Sequence, residues 1–128
     1  MTAAQFRRIA LGLQDVLESA HMGHPDFRVG GRIFATLSAD DRQGMVTLTP
    51  EQQHVVVREN EAVFVPASGA WGRQGCTMVQ LASADADAVG DAMTLAWQNA
   101  VKLNTLRKKP AAKGVRKKKV TRRLPSRR

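Results

Sequence analysis

The chain has 128 residues, a single cysteine and no run of apolar residues long enough to span a bilayer, which excludes an intrachain disulfide, a cysteine-based zinc site and an expected membrane span. Its charge divides at about residue 102: residues 1–101 hold seven Lys/Arg and all eleven Asp/Glu, a net charge of −4, whereas residues 102–128 hold thirteen Lys/Arg and no acid. The first 101 residues suffice for one hydrophobic core.

Phe6, Ile9, Ala10, Leu13, Val16 and Leu17 recur at helical spacing, and Thr2 with Gln5 reads as a capping box, predicting a first helix over about 3–18. The start of the chain is expected to be this helix rather than a signal peptide. His24 to Leu37 then reads as two strands about Gly30–Gly31, a two-residue hairpin turn whose mirror-image geometry needs positive φ. That register sets Phe27 against Phe34 and Arg28 against Ile33, with large apolar residues on both faces. Arg28 and Arg32 are candidates for a small cationic wing there.

Met45 to Leu48 reads as a strand. Thr49-Pro50-Glu51-Gln52 opens a second helix, with proline at its first position, that ends near Asn60. Ala62 to Val65 is extended and stops at Pro66. Ser68 to Gly75 is glycine-rich and does not follow a strand and open a helix, so it fits no dinucleotide or P-loop pattern. Two readings of this loop compete. Trp71 and Arg73 stack on a base and touch a phosphate, or, more simply, Trp71 packs onto the sheet edge. Cys76 to Leu81 is a strand with Thr77, Val79 and Leu81 on one side.

The last ordered element has the clearest pattern: Val89, Ala92, Met93, Ala96, Trp97, Ala100 and Val101 form one helical stripe, with Asp85 and Asp87 at its start and Lys102 at its end. Trp97 reads as a core anchor.

His21 to Leu37, the run Gly69-Ala70-Trp71-Gly72-Arg73-Gln74-Gly75 and the pair Ala96-Trp97 together resemble the MmcQ/YjbR-like proteins, over about residues 3–104. The resemblance implies an α+β fold of the cystatin or frataxin kind: an antiparallel sheet with helices packed on one face. It also implies DNA binding, with no established reaction. Frataxin-like handling of iron calls for a carboxylate-dense first helix, and this one offers only Asp15 and Glu18 beside two arginines.

The residues offer little support for catalysis. His21, His24 and Asp26 lie in one short stretch, which rarely gives the convergent geometry of a metal site. Cys76 has no activating neighbour in sequence and reads as structural. No catalytic residue, metal or cofactor is therefore assigned. The tail carries the functional signal. Its acid-free, proline-broken composition predicts an unstructured segment from about residue 107, and a domain boundary between 1–104 and 105–128. It resembles, in composition alone, the Lys/Ala/Pro-rich tails of histone-like proteins.

The expected partner is nucleic acid, DNA before RNA, in the cytoplasm and not at a membrane. Arg116, Lys117, Lys118, Lys119, Arg122 and Arg123 are the densest contacts, with lesser ones from Arg28, Arg32 and Arg73. The alternative is a domain that binds a small ligand or a protein around His24, Trp71 and Arg73, with a tail that only localises it. Sequence specificity and oligomeric state are not encoded in any motif.

Overall fold

The computed structural model describes residues 1–21 and 23–108. They form a two-layer α+β protein. Six strands make one antiparallel sheet in the order β1-β2-β3-β4-β6-β5, from β1 (Val16–His21), β2 (His24–Val29), β3 (Arg32–Leu37), β4 (Gln43–Thr47), β5 (Phe64–Pro66) and β6 (Cys76–Gln80). Helices α1 (Ala3–Leu11) and α4 (Ala86–Lys108) lie across one face, while α2 (Pro50–Glu59) joins β4 to β5 and the short α3 (Gly69–Arg73) joins β5 to β6.

Period-two alternation decides what each face holds. Phe27, Val29, Ala35, Leu37, Val46 and Val79 point toward the helices and are buried with Phe6 and Ala10 of α1 and Val89, Ala92, Met93, Ala96 and Ala100 of α4. Helix α1 approaches the sheet closely at Gly44, where an added Cβ would run into the Phe6 ring.

The predicted capping box of α1 forms, and α2 opens on a second one. Thr2 Oγ1 accepts from the Gln5 amide at 3.2 Å and Gln5 Oε1 accepts from the Thr2 amide at 2.8 Å; Thr49 and Gln52 repeat the pattern at 3.1 and 3.0 Å. The first helix is shorter than its periodicity predicts. It ends at Leu11, where Gly12 closes onto the Arg8 carbonyl, and Asp15 takes a left-handed φ of 62° that turns the chain back. Val16 and Leu17, read as helical, belong instead to β1, whose backbone pairs along β2 from Val16 opposite Val29 to His21 opposite His24. A helical stripe and a strand edge both accept these residues, and pairing with a neighbouring strand wins. Glu18 returns to the helix as a carboxylate partner of Arg7, 3.0 Å away.

Gly30 and Gly31 form the predicted turn with φ of 59° and 80°. The register is corrected by a bulge. Arg28 faces Ile33 as predicted, but Phe27 faces Ala35, because Phe34 is an extra residue in β3. The bulge resolves the two-faced apolar pattern by turning Phe34 into the core, where it is fully buried. Its carbonyl is met by the Thr47 hydroxyl at 3.4 Å.

Trp97 is corrected from core anchor to edge: it is half-buried beside the stripe, and its indole N–H donates to the Gln14 carbonyl at 3.0 Å. Helix α4 also continues past the predicted end, to Lys108, so Lys102 lies inside it. The expectation of an unstructured tail concerns, beyond Lys108, residues outside those described.

The open face of the sheet

Among the described residues no helix lies over the second face of the sheet. Cross-strand register lays a row across all six strands: Ser19, Asp26, Thr36, Met45, Met78 and Val65. Leu17, Arg28 and Ile33 form a shorter row beside it. Two of the large apolar side chains most open to water, Leu17 and Val65, lie here, and Trp71 stands at the rim with 70% of its surface exposed.

A cleft of about 610 Å³ occupies the middle of this face. Ile33, Met45 and Met78 contribute apolar surface, Thr36, Gln43 and Ser68 add polar groups, and Trp71 and Cys76 line it at the α3 end. None of its lining residues carries a formal charge. The Cys76 thiol is half-buried, and that burial pushes its pKa above the ordinary thiol value. That burial favours its neutral thiol form over the thiolate.

The position of Trp71 is built, not incidental. The glycine-rich loop predicted between the strands is the short helix α3, whose underside is pressed onto the chain: a Cβ at Gly72 would overlap the Ala67 carbonyl, and one at Gly75 (φ 110°) the Leu48 carbonyl. The Gln53 amide of α2 then ties the segment down, donating to the carbonyls of Gly72 and Cys76, each at 3.0 Å, and to Thr77 Oγ1 at 3.2 Å. Thr77, fully buried, donates its hydroxyl hydrogen bond to the Gly75 carbonyl at 2.8 Å. With the backbone fixed this way, the Trp71 side chain projects to solvent instead of packing onto the sheet edge as the simpler reading expected.

At the other side of the cleft, Arg28 and Asp26 form a two-pronged ion pair, with Nε to Oδ1 at 2.8 Å and Nη2 to Oδ2 at 3.2 Å. The hydrogen bonds and charge of Asp26 raise the Arg28 pKa further above its already high value. Asp26 retains 1% of its exposure, so Arg28 is the counter-ion of a buried carboxylate.

The sequence-predicted arginines are not brought together. Arg28 lies on the open face, Arg32 leaves the opposite face of the hairpin and donates to Asn104 of α4 at 3.3 Å, and Arg73 is exposed on α3. The same Asn104 donates to the Val29 carbonyl at 2.9 Å, so Arg32 helps moor the turn to α4. His24 is exposed at the start of β2 and is not part of the cleft. Among the described residues no three His, Cys, Asp or Glu side chains are placed to hold a metal ion. Arg116, Lys117, Lys118, Lys119, Arg122 and Arg123 lie outside the described residues.

Sequence reasoning missed Met45 and Met78 and did not place Ile33 or Cys76 in a cleft. The usable signal was the other half of the alternation. Once Thr77, Val79 and Leu81 are assigned to the core, Cys76 and Met78 must face away from it.

These features define a class: an α+β protein with an antiparallel sheet, helices on one face and the other face open, and no helix among the described residues long and apolar enough to cross a membrane. The YjbR family matches residues 11–99, and the chain belongs to that family. Among solved structures, the Deinococcus radiodurans protein DR2400, described with a DUF419 domain, has this fold at a TM-score of 0.64 and 16% sequence identity, over 88% of this chain and 82% of that one. No curated protein matches the chain.

Proposed function

We propose that this protein is a cytoplasmic, non-enzymatic nucleic-acid-binding accessory protein whose affinity comes mainly from its cationic tail. The observation that carries the reading is the charge division: thirteen Lys/Arg without an acid in residues 102–128, joined to a body with a net charge of −4. Such a segment neutralises phosphates and releases condensed counterions, an attraction indifferent to sequence. Its sequence places Pro110 and Pro125, which lack the amide N–H that a continuous helix uses, and the reading is therefore of contacts along the backbone and not of base readout in a groove. In the folded body Arg28 is committed to Asp26 and Arg32 to Asn104, so Arg73 is the member of the trio without such a side-chain partner among the described residues. That favours the tail as the main source of affinity.

The test is substitution of Arg116, Lys117, Lys118, Lys119, Arg122 and Arg123 by Gln in the full chain, with binding to a labelled duplex followed at two salt concentrations. Loss of most of the affinity is expected; unchanged affinity overturns the reading. A second reading is favoured by the open-face cleft: a domain that binds a small ligand or a protein and uses the tail only for localisation. A tailless chain separates the two, because under that reading it keeps its ligand while losing every contact with nucleic acid.

A further inference from the structure

We infer that the open-face cleft receives an unpaired base of single-stranded nucleic acid, stacked on the Trp71 indole; the inference rests on the nucleic-acid reading above and names the form of its substrate. Trp71 is 70% exposed although the backbone beneath it is fixed by Gln53 and by the close approaches at Gly72 and Gly75. An exposed indole carried on a fixed backbone beside an apolar cleft presents a π-face to solvent, and base–aromatic stacking accepts any base because every base has such a face.

The cleft, at about 610 Å³, has room for a base. Ile33, Met45 and Met78 supply apolar contact for the ring, and Thr36, Gln43 and Ser68 supply hydrogen-bonding groups for its edge. No carboxylate lines it, so a phosphodiester entering with the base meets no opposing charge there. Arg73, exposed on the same short helix as Trp71, is a cation at the rim for the adjoining phosphate.

Charge complementarity selects this occupant over an uncharged apolar molecule. The thirteen tail cations draw in a polyanion, and the ligand that uses both a polyphosphate attraction and an apolar aromatic cleft is a nucleic-acid strand. Duplex bases are already stacked on one another and do not reach Trp71 without unpairing, which costs energy. The domain therefore converts an indiscriminate electrostatic attraction into a preference for single strands.

The experiment uses the full chain with Trp97→Phe, leaving Trp71 as its one indole. Oligothymidylate, oligouridylate, a duplex of equal length and inorganic polyphosphate serve as probes. Both single strands are expected to quench Trp71 fluorescence, and polyphosphate is not; the two single-strand arms separate DNA from RNA. Trp71→Ala is expected to weaken single-strand binding about 5- to 140-fold, the equivalent of about 1–3 kcal/mol of stacking at 1.4 kcal/mol per tenfold. Duplex and polyphosphate binding should not change, and Trp71→Phe should recover much of the loss.

Single-strand affinity indifferent to Trp71→Ala, or an equal loss on polyphosphate, overturns the inference while leaving tail-driven binding intact. An anilinonaphthalene sulfonate dye that occupies the cleft and is not displaced by oligothymidylate also overturns it, in favour of an apolar ligand. Failure of the chain to bind any nucleic acid removes both proposals together.

Discussion

The chain's two tryptophans, Trp71 and Trp97, are put to different uses by their surroundings. Trp97 lies along the α4 stripe with its ring half-covered and its N–H on the Gln14 carbonyl, so it joins α4 to the turn after α1. Trp97→Ala is expected to cost about 2–4 kcal/mol in chemical denaturation, at or below the roughly 3–5 kcal/mol of a fully buried aromatic, and to leave nucleic-acid binding unchanged. Trp71→Ala should shift the denaturation midpoint very little, because most of that ring is in water. The difference was not legible in the sequence. Trp97 sits in a periodic stripe that advertises burial, whereas Trp71 is flanked by glycines that give no period, and its exposure depends on a hydrogen bond from Gln53, many residues away. Cys76 offers a further check at this scale. Burial favours its neutral form, so the folded state retains a proton that the unfolded chain releases at lower pH. Its alkylation rate should rise with pH along a curve displaced to the alkaline side of the same cysteine in denaturant, and the thiol's contribution to stability should fall as pH climbs through that range. Alkylation that follows the free-thiol curve would place Cys76 in water.

Among the elements, the short helices are the least autonomous and depend most on single side chains. Helix α3 is far too short to persist alone, and its position rests on the three acceptors served by the Gln53 amide. Gln53→Ala is expected to cost roughly 1–3 kcal/mol, the consequence of leaving partly buried carbonyls unpaired, and to raise hydrogen exchange at the Gly75 amide. Unchanged exchange there would show that α3 holds without α2. Helix α1 depends on the fit of Phe6 against Gly44, and Gly44→Ala should cost about 1–3 kcal/mol by overpacking. The capping boxes, the Gly30–Gly31 hairpin and the α4 stripe were legible because their signals are local, within a few residues. Strand β1 was not. Val16 and Leu17 extend the helical period of α1 by coincidence, and only pairing with β2 reveals them as a strand. The Phe34 bulge was equally hidden: it is a compromise between two apolar faces, and the sequence shows the conflict but not which residue steps out of register.

Across the whole molecule the charge division and the three-dimensional fold bear on different parts of the proposed function. The body is an open-faced sheet in which two of the three predicted arginine contacts already serve internal partners, while the tail holds thirteen of the chain's twenty Lys/Arg. Ending the chain at Lys108 keeps all of α4 and removes ten of the thirteen tail cations, leaving a body near neutrality, with a net charge of −1. For the full chain, if about 6–10 cations reach phosphates, affinity for a duplex should fall on the order of 10³- to 10⁵-fold between roughly 50 and 200 mM salt. The chain ending at Lys108 should lose most of that affinity and show a much flatter salt dependence. Arg28 and Arg32 enter differently. Arg28→Met strips Asp26 of its counter-ion, so it should lower the denaturation midpoint more than Arg73→Met does, while changing duplex affinity less than the truncation. Titrations of both chains with one duplex and its scrambled counterpart, at two salt concentrations, separate the contributions. Equal affinity of the two chains, together with discrimination between the duplexes, would assign duplex recognition to the folded body and overturn the tail as its source. A steep salt slope confined to the full chain would instead leave the body the narrower task of sensing whether the strand it is offered is paired.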